Sequence, residues 1–188
     1  MDGIGYYDIV ISMKPALMIL LCGLAQIRPA IAVPAVLEQR TQSFTIVLKG
    51  SIADVTPLFG PVREAEWAPS WVPHFLHPPE GVQREGAVFT TTTSTGRERL
   101  WLLTVYDVNE GRVEYVVVTP GVTANEVKIR VIPHGDRQCK ATITYRHSAI
   151  APEGNEEVNK LDGHWAEQQR THWETAINAA LEKEGAHD

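Results

Sequence analysis

Five stretches of this chain alternate apolar and polar residues with a period of two. Residues 43–49 set Phe44, Ile46 and Leu48 against Thr45, Val47 and Lys49. Such alternation predicts a strand with one face buried and one wet. Residues 99–107 set Trp101, Leu103 and Val105 against Leu100, Leu102 and Tyr106, and residues 112–119 set Val113, Tyr115 and Val117 against Glu114, Val116 and Val118. Residues 125–132 and 140–147 follow, with Val127, Ile129 and Val131, then Ala141, Ile143 and Tyr145, on their apolar faces. A sixth stretch, 86–93, carries Val88 and Phe89 ahead of a threonine run. Turn residues separate these stretches: Gly96, Asn109-Glu110-Gly111, Pro120-Gly121 and residues 133–137. No helical pattern intervenes, so the strands form an antiparallel meander.

The period changes at the two ends of this series. After the first strand, Ser51 is placed to cap a short helix carrying Ile52, Val55, Leu58 and Phe59, which Gly60-Pro61 ends; residues 64–67 form a second short helical piece. Residues 155–183 repeat near 3.6, which predicts one helix about 42 Å long. Asn155 is its expected N-cap and Gly185 its stop, with a bend allowed at Gly163. Val158, Leu161, Trp165, Trp173, Ala176, Ala179 and Ala180 share the apolar face, and Gln169 and His172 land inside it. This helix is the expected cover for the sheet. Between the short helices and the strands, residues 67–81 hold four prolines, which argue against regular structure, together with Trp67, Trp71, Phe75, His74 and His77. An ordered aromatic loop of this kind is commonly functional.

Composition adds bounds. The 188 residues suit one main domain, and 44% hydrophobic with 21% charged residues is ordinary for a globular chain. A net charge of −6 without a basic block argues against nucleic acid as a partner. Residues 1–12 make a poor signal-peptide start. From Met13, Lys14, the apolar run 15–27 and Ala30-Ile31-Ala32 read as an export signal cleaved near Ala32. Residues 1–32 are thus expected to be a signal or hydrophobic segment, and 33–188 a single domain, secreted or periplasmic. The alternative is a membrane anchor formed by residues 15–27, and a buried helix is the third reading. Cys22 falls in the removed segment, leaving Cys139 without a partner.

The order of strand, two short helices, antiparallel strands and one long helix resembles the helix-grip fold. This is the fold of the START and pollen-allergen superfamily, also called SRPBCC, the polyketide cyclase/dehydrase and lipid-transport proteins. The resemblance covers residues 43–185. It is carried by residues 51–59, Pro57-Leu58-Phe59-Gly60-Pro61, Glu66-Trp67, Trp71-x-Pro73, Gly86-x-Val88-Phe89 and the final helix with Trp165 and Trp173. It implies an α+β architecture: a curved antiparallel sheet of six or seven strands wrapped around the C-terminal helix, with an elongated apolar cavity between them. It implies no shared catalytic set, since members include lipid and sterol carriers, hormone receptors and aromatase/cyclase enzymes.

On this reading Trp67, Trp71 and Phe75 form the cavity mouth or plug the end of the core. Phe89, Trp101, Tyr115, Tyr145 and Trp165 are its candidate walls. Gln169 and His172 are polar anchors for a ligand, or else a satisfied buried pair. Glu66 either rims the cavity or holds the loop. His74 and His77 lack a third ligand nearby, so no metal is expected, and no cofactor fingerprint is present. No catalytic residue is assigned. The leading expectation is an exported protein that binds a small hydrophobic, lipid- or polyketide-like ligand. Membrane contact is expected only through an uncleaved N-terminal segment or during ligand exchange. The alternatives are a cyclase-, dehydratase- or hydrolase-type enzyme using His172, and a protein-interaction module using the 67–75 loop.

Overall fold

Seven antiparallel strands form one sheet in a computed structural model that describes residues 35–186. In chain order they are β1 (Gln39–Lys49), β2 (His74–His77), β3 (Val88–Thr92), β4 (Glu98–Asp107), β5 (Arg112–Thr119), β6 (Thr123–Pro133) and β7 (Gln138–Ala149). Their spatial order is β1-β7-β6-β5-β4-β3-β2, so consecutive strands neighbour each other from β2 to β7, and β1 closes onto β7. The expected signal or anchor at residues 1–32, with Cys22, lies outside the described residues. No helix among the described residues is long and apolar enough to cross a membrane.

Helix α1 (Ile52–Val55) begins as the sequence predicts. The Ser51 hydroxyl accepts from the Asp54 backbone N–H at 3.3 Å, and the Asp54 carboxylate accepts from the Ser51 N–H at 2.9 Å, a reciprocal capping box. Two 3-10 turns follow at Thr56–Phe59 and Arg63–Glu66. The inward faces of the strands supply the core: Ile46 and Leu48 from β1, Phe89 from β3, Leu103 from β4, Val113 from β5 and Ile143 from β7 are fully buried.

Several expectations need correction. The predicted 155–183 helix is two helices, α2 (Gly154–Asn159) and α3 (Gly163–Gly185). Asn155 does not cap it. Its amide instead donates to the Val36 carbonyl and accepts from the Glu38 N–H, pinning the start of β1. The cap of α3 is Asp162, whose Oδ1 accepts from the Trp165 N–H at 2.8 Å. The break turns Leu161 and Val158 fully inward. The buried residues of α3 are Ala166, Ile177, Ala180 and Leu181; Trp165 and Trp173 are only half-buried, and Ala179 is exposed. A β-bulge between Leu103 and Val105 shifts the register of β4. It returns Tyr106 to the inner side, against the face that simple alternation assigns it. Finally, the proline-rich loop does contain a strand. His74–His77 is the proline-free interval between Pro73 and Pro78, and it pairs with β3 at the sheet edge, where proline neighbours are tolerated.

The two sheet edges are finished differently. At β1, the Asn178 side chain of α3 accepts from the Lys49 N–H at 2.9 Å and donates to the Val47 carbonyl at 3.0 Å. Glu174 accepts from the Val47 N–H at 3.4 Å. At the far edge, β2 is only four residues long.

Candidate functional site

A pocket of about 430 Å³ lies where α3, the Arg63–Glu66 turn and the inner faces of β3–β7 meet. Its aromatic walls are fixed by hydrogen bonds to the frame. Trp67 Nε1 donates to the Leu58 carbonyl at 2.7 Å, Trp71 Nε1 to the Pro61 carbonyl at 2.8 Å, and Trp101 Nε1 to Thr91 Oγ1 at 2.9 Å. The rings brace one another. Trp67 and Trp173 have centroids 4.9 Å apart, Tyr145 and Trp165 meet edge to face at 5.1 Å, and Trp71 meets Trp101 edge to face at 5.1 Å.

Asn125 is likewise bonded to the frame, donating to Thr123 Oγ1 and accepting from the Ser148 N–H, but most of the other polar groups facing this pocket behave in the opposite way. Glu64, Arg99, Tyr145, His147, Gln169 and His172 all line it. Apart from a ring contact between Tyr145 and His147, their side chains reach no polar partner among the described residues. Burial pushes the Glu64 carboxyl up from the ordinary 4.5 to about 8, although the residue as a whole keeps part of its surface exposed. Burial, aided by the neighbouring Arg99 cation, holds His147 down at about 4, so its ring is neutral near pH 7. The Tyr145 hydroxyl is raised by burial first and by Glu64 second, with Arg99 opposing. The Arg99 Nε is shut off from solvent without an acceptor.

Glu64 owes its position to a clamp. Gln83 Oε1 accepts from the N–H groups of Val62 and Arg63 at 2.9 and 3.2 Å, while its Nε2 donates to the Pro57 carbonyl at 2.9 Å and to the Tyr106 hydroxyl. The clamp needs Gly60. A Cβ there would lie 2.0 Å from Gln83 Cδ. Arg63 in turn holds Glu66 at 2.8 Å and reaches Glu184 of α3. Glu66 is therefore a partner of the turn and does not line the pocket.

Of the ten residues that the sequence nominates, seven line this pocket: Trp67, Trp71, Trp101, Tyr145, Trp165, Gln169 and His172. His172 is exposed, so it reaches the pocket from the solvent side and not from the centre of a buried face. Phe75, Phe89 and Tyr115 stand behind the lining. Phe89 stacks on Trp101 at 5.7 Å and packs against Phe75 at 5.5 Å, and Tyr115 donates its hydroxyl to the Phe59 carbonyl at 2.7 Å. His74 and His77 are exposed on β2, away from the pocket lining. Sequence reasoning passes over Glu64, Arg99, His147 and Trp173 as pocket residues. Two of these were signalled: extending the alternation by one step places Arg99 on the face of Trp101, and His147 on the face of Tyr145.

A second pocket of about 470 Å³ lies near the start of α1, among residues such as Gly50, Val108, Arg137 and Cys139. It has no aromatic lining, and Cys139 is already engaged with the Gly50 carbonyl at 3.2 Å. The aromatic pocket is the better candidate site.

No protein-family model and no curated protein sequence matches the chain. Solved structures do. Norcoclaurine synthase from Thalictrum flavum, in complex with dopamine and hydroxybenzaldehyde, superposes with a TM-score of 0.58 at 12% identity, over 78% of this chain and 88% of that one. Ara h 8.0201 gives 0.57 at 12% identity over 77% and 99%. A Thermobifida fusca protein solved by NMR gives 0.52 at 20% identity over 73% and 90%. At such identities the likeness speaks for the fold alone. Together with the seven-stranded sheet closed around α3, it gives this chain the helix-grip fold that its sequence motifs resemble.

Proposed function

We propose that the protein binds a small hydrophobic, ring-containing ligand in the aromatic pocket. The observation that carries this reading is the division of labour among the lining residues. The indole donors of Trp67, Trp71 and Trp101 are spent on the frame, whereas the side chains of Glu64, Arg99, Tyr145, His147, Gln169 and His172 are left uncommitted. A buried polar atom without a partner, as Arg99 Nε is, is costly and is kept where a ligand or water completes it, and the half-exposed groups around it stand free to bond a guest. The volume falls within the usual range for small-molecule sites. That norcoclaurine synthase was solved with two aromatic compounds agrees with a ring-shaped guest on this fold.

The test is titration of the purified full chain with the neutral fluorophore 1-aminoanthracene. Saturable fluorescence enhancement is expected in the wild type. It should be lost in Gln169→Trp, which fills the pocket from a half-exposed helix position without touching the core. Enhancement that survives Gln169→Trp in a folded variant sinks the reading.

Catalysis is the second reading, and one observation favours it. A carboxyl titrating near pH 8 exchanges protons easily at neutrality, which suits general acid or base work. On this reading Glu64 takes the role the sequence suggests for His172, with Tyr145 beside it. A co-purifying compound identified by native mass spectrometry, and recovered chemically changed after incubation with the wild type but not with Glu64→Gln, separates enzyme from carrier. The interaction-module reading loses support, because Trp67 and Trp71 are bonded inward and do not present their rings to a partner. Export rests on residues 13–32, and N-terminal sequencing of secreted protein should begin at Val33; a full-length chain in the cytosol would end that part of the proposal.

A further inference from the structure

Among the polar groups that line the aromatic pocket, one carries a charge without a counter-charge. Arg99 projects from the inner face of β4 beside Trp101. Its Nε is cut off from solvent and unbonded, and no carboxylate lies within ion-pair distance of its guanidinium among the described residues. Several surface arginines take carboxylate partners, Arg97 with Glu157 at 3.0 Å, Arg146 with Glu126 at 3.2 Å and Arg170 with Glu167 at 2.6 Å. The exposed ones without a partner among the described residues, such as Arg40 and Arg130, keep their hydration; Arg99 has neither a partner nor a fully hydrated guanidinium. The guanidinium of Arg99 is thus partly dehydrated and unmatched, a costly arrangement unless something answers the charge.

The pocket does not answer it from within. Glu64 is the single carboxyl among the lining residues, and burial keeps it largely protonated at neutral pH. His147, next to Arg99, is held neutral. The chain as a whole is acidic, at −6, so the positive character is local to the pocket and not a general attraction for anions.

We propose that the ligand is an anion: a flat body of one or two rings seated among the tryptophans, with a carboxylate received by the Arg99 guanidinium. This proposal rests on the ligand-binding reading above and narrows it. A guanidinium offers a planar fork that matches a carboxylate better than a point charge does. The protonated Glu64 carboxyl and the Tyr145 hydroxyl are further donors in the same pocket. The size follows from volume. A cavity of about 150 Å³ holds one benzene, so about 430 Å³ has room for two fused rings and a carboxylate. Edge-to-face aromatic walls favour such a body over a flexible acyl chain.

The experiment is isothermal titration calorimetry of the full chain with two isosteric probes, 2-naphthoate and 2-naphthamide, at pH 7. The acid should bind at least about tenfold tighter than the amide, the worth of a charge-assisted hydrogen bond. In Arg99→Gln that gap should close, because the acid loses far more affinity than the amide does. Arg99→Lys, which keeps the charge and loses the fork, should retain part of the gap. Rising salt should weaken the acid alone, a measurement that needs no variant should Arg99→Gln fail to fold. An acid that binds no tighter than the amide, a gap that survives Arg99→Gln, or an acid affinity indifferent to salt overturns the anion while leaving the ligand-binding reading intact. If neither probe binds the wild type, both fall together.

Discussion

Tyr115 and Tyr145 flank the same residue: Val127 of β6 is paired with Tyr115 across one side and with Tyr145 across the other. Both rings point inward, yet their hydroxyls live differently. Tyr115 donates to the Phe59 carbonyl, in a region where Gln83, Tyr106, Val62 and Arg63 are also fully engaged. Tyr145 meets only rings, a carboxyl and a cation, and makes no hydrogen bond. Around the Tyr115 hydroxyl the polar side chains are bonded to the frame. Around the Tyr145 hydroxyl most are left open, and that side is the pocket. This contrast separates frame from site more sharply than volume does, since the second pocket is slightly larger yet has no aromatic frame around its polar groups.

The contrast can be broken from the frame side with the largest effect. Trp67 is 5% exposed, fills the space against Trp173 and satisfies the Leu58 carbonyl. Trp67→Ala should cost about 3–5 kcal/mol in chemical denaturation. Trp165→Ala, on the half-buried pocket wall, should cost clearly less; equal losses would erase the distinction. Tyr115→Phe comes next. It strands a buried carbonyl and should cost about 1–3 kcal/mol.

A pH series sharpens the pocket side. Glu64 binds its proton more tightly folded than unfolded, so its effect lowers stability as pH rises from 4.5 to about 8. His147 binds its proton less tightly folded, so its effect raises stability as pH climbs from about 4 to 6.5. The two oppose each other at mildly acidic pH and leave Glu64 alone above 6.5. The wild type should lose at most about 2 kcal/mol between pH 6.5 and 8. Glu64→Gln should be flat there and should show the bare His147 rise below. A wild type flat across that window would mean that Glu64 is ionised like any surface carboxylate. The smallest expected effect is the most diagnostic. Tyr145→Phe should change stability by less than about 0.5 kcal/mol, because no bond is lost, while weakening 2-naphthoate binding. A destabilisation as large as that of Tyr115→Phe would place Tyr145 in the frame.

The strands and the capped first helix were legible because local chemistry decides them. Alternation gave the inner face of β5, β6 and β7, and Ser51 gave the α1 cap, to which the structure adds the reciprocal bond from Asp54. The bulge in β4 was not legible, since it depends on how β5 pairs with it, and it reverses the side that Tyr106 faces. The final helix was overextended because its 3.6-residue period runs through Asp162-Gly163, although Asp162 is itself a strong cap; Asn155 was committed to β1, more than a hundred residues earlier in the chain. Glu64 carried no signal at all. Its place depends on a clamp by Gln83, twenty residues further on, and on a glycine at position 60 that lets the clamp close.

The amide of Asn178 has a consequence of another kind. A β-strand with open N–H and C=O groups is a template on which another molecule's strand can add, the first step toward aggregation. By bonding to both Val47 and Lys49, Asn178 acts as one residue of a missing strand and occupies those positions. At the opposite border, β2 is too short and too closely bracketed by prolines to extend the ladder. The helix that roofs the pocket therefore also keeps the sheet from growing outward. Loss of Asn178 should be felt less in the melting temperature than in how long a concentrated solution stays clear.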